Sequence, residues 1–338
     1  MTKMASGKRV VVIGSGRTLA KTLQCIKTFN RSAPRIAAHI VGVIVDMVGP
    51  DEGSSRTLGE IADTDRPPQM ASADINSPTS LEFIRLARPD IILSANNHQI
   101  IGAKLRAIPP MGAINFHNGP LPRYGGLNAC TWAIYNGESE HGVAWHFVHE
   151  TIDGGDVIAR RYLPIAPDEK AITLIQKCID LGIEVLMDIL PGVLDGTCPR
   201  TPQVTSGRLY HFKRQIPNRG MLDFTWDHSA LDRFVRSLTF HPFRNPLAYP
   251  TSYYRGRAFS AEKLSLVKTG SRDAPGTLVL AEKDALHIAV MDAVVSLGRL
   301  RDEHTRSISV GAFIEEYNVR PNTRVGQDLH DSRGHEKA

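Results

Sequence analysis

The sequence predicts an α/β protein in which a mostly parallel sheet with flanking helices is followed by a smaller, β-rich C-terminal domain. Three observations carry this. Short continuous apolar runs at 10–13, 40–45 and 90–94 read as buried strands rather than as half-exposed ones. Between them lie stretches of helical spacing, at 19–29 and 81–87, so strand and helix alternate as they do around a parallel sheet. Beyond a connector at 196–207 rich in Thr, Pro and Gly, the pattern changes to short strands separated by turn residues.

With 338 residues, 42% of them hydrophobic and 22% charged, the chain can fill two cores and is too apolar for general disorder. We set the domains at 1–200 and 208–322 and read 325–338 as a polar, disordered tail. The net charge is +5, with the excess falling after residue 207. Basic residues are scattered among Asp and Glu instead of forming the stripe of a dedicated nucleic-acid surface. Cys25, Cys130, Cys178 and Cys198 lie far apart without a Cys-x-x-Cys, which suggests neither a zinc site nor a disulfide framework and fits a reduced compartment. No apolar run is long enough to span a bilayer and the short polar N-terminus gives no export signal, so no membrane partner and a cytoplasmic location are expected.

The first strand, the turn Gly14-Ser15-Gly16, the helix at 19–29 and the strand at 40–45, closed by Asp46, make a β-α-β unit. A Rossmann-like dinucleotide site would need a third glycine where this chain has Leu19. The two glycines are therefore read as a tight turn at the carboxyl edge of the sheet, the edge where such folds bind ligands. Residues 46–80 form an acidic stretch, with Asp46, Asp51, Glu52, Glu60, Asp63, Asp65 and Asp74 against Arg56 and Arg66. The strand at 90–94 ends in Ala95-Asn96-Asn97-His98-Gln99-Ile100-Ile101, where His98 reads as a surface residue.

A further apolar approach at 111–116 ends in Asn115-Phe116-His117, followed by the loop Asn118-Gly119-Pro120-Leu121-Pro122. Residues two apart on a strand share a face, so an amide donor and an imidazole are presented side by side at a strand end. The amide suits a developing oxyanion; the imidazole suits proton transfer or a second donor. Asp153 lies in the Gly-bounded turn Ile152-Asp153-Gly154-Gly155-Asp156, from which a carboxylate can fold back toward His117. The plainer alternative makes Asn115 a loop cap, His117 a satisfied pocket histidine and Asp153 a turn residue. Helices are expected at 126–135 and 168–190, the second stopped by Pro191 and Gly192 with Cys178 in its core face, and a strand at 143–148. His146 and His149, three apart, face opposite sides of that strand, which argues against a metal site; His146 is read as an ordinary strand residue.

Asn-x-His with its Leu-Pro loop, followed by the Asp-Gly-Gly-Asp turn, resembles the formyltransferases that use 10-formyltetrahydrofolate as formyl donor. The resemblance covers most of the chain. It implies that Asn115, His117 and Asp153 are the catalytic trio. It also implies that backbone groups near Asn97, Gln99 and Ile101 hydrogen-bond the pterin, while His149, Thr151 and Ile152 belong to the loop that wraps it. The connector leads into Arg208-Leu209-Tyr210, a helix at 229–239 and strands at 251–254, 277–280, 286–290 and 294–297. This second part resembles, more loosely, the oligonucleotide-fold-like barrel of methionyl-tRNA formyltransferases and of some sugar-directed relatives. Members acting on initiator tRNA carry a basic loop where this chain is acidic at 46–80, and Asn118-Gly119-Pro120 departs from their pattern beside the trio. The resemblance therefore implies an N-formyltransferase with a small-molecule amine acceptor: an amino sugar, an amino acid or a hydroxylamine of specialised metabolism. Charged initiator tRNA is the disfavoured alternative, because acidic groups repel phosphate. A folate-binding hydrolase or an inactive binding protein is the third; hydrolytic relatives usually carry an additional N-terminal domain.

Overall fold

A computed structural model describes residues 7–32, 34–48, 67–204 and 206–326. The chain divides into two units, one drawn from residues 1–129, 140–164 and 175–212, the other from 130–139, 165–174 and 213–338. In chain order the elements up to the connector are β1 (Gly7–Gly14), α1 (Gly16–Arg31), β2 (Ala37–Asp46), β3 (Gln69–Ser72), α2 (Pro78–Ala87), β4 (Ile91–Ala95), α3 (Ala103–Arg106) and β5 (Ala113–His117). They continue with β6 (Tyr124–Gly126), α4 (Ala129–Tyr135), β7 (Glu140–Phe147), β8 (Val157–Pro164), α5 (Ala171–Asp195) and β9 (Leu209–His211).

Among the described residues the main sheet of the first unit runs β3-β2-β1-β4-β5-β7-β8. The pairs from β3 to β5 are parallel and β7 is antiparallel to both its neighbours. Val10, Val11, Val12 and Ile13 are all fully buried, as a strand covered on both faces requires. The sequence order reverses between β2-β1 and β4, so the loops after β1 and β4 leave the carboxyl edge on either side of a switch point. α2 starts where its sequence says it should: Ser77 accepts a hydrogen bond from the Ser80 amide and Pro78 occupies the first turn.

Two helix expectations need correction. Residues 124–126 form β6, which pairs in parallel with β9, and the helix begins only at Ala129. α5 begins at Ala171, not 168, and runs through Pro191 to Asp195. Proline forfeits one backbone bond, but Val193 and Leu194 beyond it are buried, and that packing carries the helix through one more turn. Cys178 is fully buried, as a core position should be. Of the acidic stretch, residues 49–66 lie outside the described residues. No described helix is long and apolar enough to cross a membrane.

The second unit contains α6 (His228–Ser237), capped by Asp227, whose carboxylate accepts from the Ala230 amide. Its strands are β10 (Thr251–Tyr254), β11 (Arg257–Thr269), β12 (Leu278–Glu282), β13 (Ala285–Ala289), β14 (Ala293–Arg301) and β15 (Ser307–Ile308), followed by α7 (Val310–Glu316). The strands form an antiparallel sheet ordered β10-β11-β14-β13-β12, with β15 paired to β14 off this path. Residues 324–326 join its two edges: Arg324 bridges Thr277, next to β12, and Gly326 exchanges backbone hydrogen bonds with Tyr253 of β10. The half-barrel is thereby drawn toward closure, which protects its edge strands. Val325 and Gly326, assigned from sequence to the tail, belong to this closure, and residues 327–338 lie outside the described residues. β11, thirteen residues long, is the longest of the strands that sequence reading misses, because charged residues interrupt its apolar pattern.

Candidate active site

Neighbouring strands align three polar side chains in one row across the sheet. Ser94 of β4 is opposite Asn115 of β5, and Asn115 is opposite His146 of β7. The Ser94 hydroxyl donates to Asn115 Oδ1 at 2.7 Å. On the other side of the amide, His146 Nδ1 lies 2.9 Å from the Phe147 carbonyl, which fixes the N–H on Nδ1 and leaves Nε2 to accept from Asn115 Nδ2 at 3.2 Å. Both ends of the amide are thus held, and the row fixes which end is nitrogen. Burial pushes the His146 pKa down to about 4, more strongly than the nearby Asp153 carboxylate raises it, and His117 and Arg208 add to the depression. The neutral ring required by the hydrogen bonds is therefore the form present near neutrality. This corrects the reading of His146 as an ordinary strand residue: the register across β5 and β7 puts it against Asn115.

Two residues on, His117 closes β5 on the same face. Its Nε2–H donates to the Tyr124 carbonyl at 2.6 Å, and Nδ1 lies 3.7 Å from Asp153 Oδ2. Asp153 Oδ1 is 3.6 Å from His146 Nε2. The sequence-predicted trio Asn115, His117 and Asp153 is thus brought together, with His146 as a fourth member. Burial alone would raise the Asp153 pKa, but His117, His146, the Gly126 amide and Arg208 outweigh it and hold the carboxyl below its ordinary value. The Gly126 amide donates to Asp153 Oδ2 at 2.7 Å, so β6 holds both partners: Tyr124 the imidazole, Gly126 the carboxylate.

The turn that carries Asp153 is locally strained. Asp153 adopts a left-handed backbone with φ of 51°, which Asp tolerates better than most residues. A side chain at Gly155 would meet the Phe147 carbonyl at 1.9 Å, so only glycine lets the chain return past the end of β7. Gln203 Nε2 donates to the carbonyls of Asp153 (2.8 Å) and Gly155 (2.6 Å), and Arg208 Nη2 donates to that of Ile152 (2.7 Å). Both come from the segment after α5. Sequence reading offered no signal for them, because what they recognise is backbone.

The residues proposed for the pterin fall in two loops. After β4, Asn97 Nδ2 donates to the Gln99 carbonyl. The Gln99 side chain bridges Asp46, the Ser72 carbonyl and the Ile75 amide, and Ile101 is buried in the core with Val11, Ile75 and Leu105. The side chains of Gln99 and Ile101 anchor the loop, and Asn97 remains partly exposed on it. His98 is exposed, as the sequence reading has it, yet tethered: its amide and Nδ1 lie 2.7 and 3.0 Å from Asp46 Oδ2. In the second loop the Thr151 amide donates to His149 Nδ1, and Ile152 is exposed. Ile100 is exposed as well, so each loop offers an apolar side chain to solvent.

A strand-end amide beside an imidazole and an ionised carboxylate is a set of groups for stabilising an oxyanion and moving a proton during acyl transfer. Comparison with known proteins gives the same direction. The formyl transferase family model matches residues 8–190, and the model of the formyl transferase C-terminal domain matches residues 216–318. Methionyl-tRNA formyltransferase of Geotalea uraniireducens is 26% identical over 326 residues, covering 95% of this chain and 99% of that protein. Among solved structures, HypX from Aquifex aeolicus, in complex with tetrahydrofolic acid, aligns with a TM-score of 0.62 at 20% identity over 92% of this chain, which spans 47% of HypX. An N-formyltransferase from Helicobacter canadensis, bound to folinic acid and dTDP-3-aminofucose, gives 0.58 at 14% identity, covering 86% of this chain and 98% of that one. At such identities the two structures speak for the fold, whereas the first family model alone takes in more than half the sequence, including the strand-end Asn-x-His and the Asp153 turn. The chain is a member of the formyl transferase family.

Proposed function

We propose that this enzyme transfers the formyl group of 10-formyltetrahydrofolate to the primary amine or hydroxylamine of a small-molecule acceptor. The observation that carries the reading is the convergence of Asn115, His117 and Asp153 at the carboxyl edge of the sheet, with the amide oriented from both sides. The folate fits the residues present: the loops at 96–101 and 148–152 offer backbone groups and Asn97 for a pterin edge, and the exposed Ile100 and Ile152 for its apolar faces. The donor supplies a polarised formyl carbonyl on nitrogen. Asn115 uses the second N–H of Nδ2 to meet the oxyanion that develops when an amine attacks. His117 takes or gives the proton at Nδ1, its other nitrogen being committed to Tyr124, and Asp153 stays ionised beside it to hold the imidazole in place. His146 and Ser94 hold the amide and need not change protonation.

The acidic composition of 46–80 supports a small acceptor, since it would repel a nucleic-acid backbone. Charged initiator tRNA is kept as a second reading because a methionyl-tRNA formyltransferase aligns along nearly the whole of both chains. Tetrahydrofolate release from 10-formyltetrahydrofolate is to be followed with three acceptor pools: charged initiator tRNA, nucleotide amino sugars, and amino acids with their hydroxylamines. Turnover with one of the small-amine pools and none with tRNA is expected; turnover with tRNA alone would overturn the acceptor class.

A further inference from the structure

We propose that Arg208 is a positioning residue for the catalytic pair, a clamp that fixes β6, which holds His117 and Asp153, against the turn from which Asp153 projects. The proposal rests on the reading of His117 and Asp153 given above. Three contacts carry it. Arg208 Nη2 donates to the Ile152 carbonyl, one residue before Asp153. The guanidinium lies flat against Gly125, between the two residues of β6 that bind the pair: a Cβ at Gly125 would stand 2.7 Å from Nη2 and 2.8 Å from Nε. It also lies over the Tyr210 ring, with the guanidinium carbon 4.9 Å from the centroid. β9, which starts at the next residue, pairs with β6, so the backbone of this segment and its arginine grip the same strand. The packing leaves Nε buried with no acceptor among the described residues. Such an orphaned donor calls for an explanation, and a planar group wedged against glycine for its shape supplies one.

The clamp also carries charge. Asp153 is faced by His117 from β5, His146 from β7, the Gly126 amide from β6, and Arg208 and Tyr210 from the segment at 208–210. Arg208 favours the ionised carboxylate and the neutral His146 ring. Its removal therefore moves the acid limb of the rate profile to higher pH through both groups.

The test uses R208A, R208K and G125A in the full-length enzyme. For R208A, kcat is expected to fall on the order of tenfold to a hundredfold, as small misplacements of reacting groups commonly cause. KM for the donor should stay within about twofold, since no folate contact is removed. The acid limb should move to higher pH, and hydrogen exchange of the Gly126 amide should accelerate by about tenfold. R208K should restore the acid limb but not the rate. G125A keeps the charge but displaces the guanidinium, so it should lower kcat without moving the limb, and G125A/R208A should be no slower than R208A, the mark of one shared interaction. Wild-type kcat, acid limb and Gly126 exchange in R208A would overturn the clamp. Should R208A fail to fold, wild-type kcat and Gly126 exchange in G125A would overturn it equally. If the wild-type enzyme transfers no formyl group, the functional reading fails, while Gly126 exchange still judges the clamp.

Discussion

Asp46 and Asp153 are both carboxylates beside an imidazole at the carboxyl edge of one sheet, the first fully buried and the second partly so. Asp46, at the end of β2, accepts from the amides of Val48 and His98, from Gln99 Nε2 and from the His98 ring. Burial would raise its pKa, but these bonds outweigh it and bring the value down to about 2. Asp153 sits on a strained turn, accepts a close bond from the Gly126 amide, and keeps its two imidazoles at 3.6 and 3.7 Å, beyond hydrogen-bond distance. The first carboxylate is saturated and anchors the loop at 96–99. The second retains capacity to accept from the imidazoles beside it. Two shielded carboxylates thus serve two ends, and the hydrogen-bond count separates them.

Four substitutions or titrations would break or sharpen this contrast, taken here from the largest effect to the smallest. D153N removes the charge that holds His117, and kcat should fall about a thousandfold, within the range of general acid-base contributions. Because the position is strained and sparsely bonded, thermal unfolding of D153N should stay near that of the wild type; a large loss of stability would make Asp153 an anchor like Asp46. N115A removes the oriented amide and should cost on the order of a hundredfold in kcat with little change in KM. D46A leaves four donors without their acceptor and should lose about 3 kcal/mol in denaturant unfolding, with KM for the donor raised more than kcat is lowered. A kcat loss matching that of D153N would erase the distinction.

The smallest effect is a pH dependence. His146 has its pKa lowered to about 4 from 6.5, so the unfolded chain binds the extra proton first as pH falls. The stability from this group is complete above pH 6.5 and is lost as pH drops toward 4. Unfolding curves across this window should show the slope in the wild type and a flatter one in H146Q.

The pairing of Asn115 with His117 is legible in the sequence because a strand end sets both on one face; glycines mark the turn of Asp153, but its place beside them comes from the family resemblance, since spacing alone does not bring the turn back to His117. His146 was hidden by register, since nothing in the residues of β7 says which of them will stand opposite Asn115. A polar side chain inside an otherwise buried apolar strand was the available signal, because such a group needs a partner. Sequence reading groups Asp46 with the acidic stretch at 46–80 because charge composition does not reveal burial. Strand and helix alternation gave the first sheet, whereas the helix through Pro191 and the long β11 depended on packing that overrides local propensity.

The most direct test of the central claim is tetrahydrofolate release from 10-formyltetrahydrofolate, measured against amine concentration in the wild type and in H117N. The expected result is saturable, amine-dependent release in the wild type and a loss of about a thousandfold in folded H117N, in keeping with an imidazole that carries the proton. Release that ignores the amine, or that survives in H117N, would contradict the account.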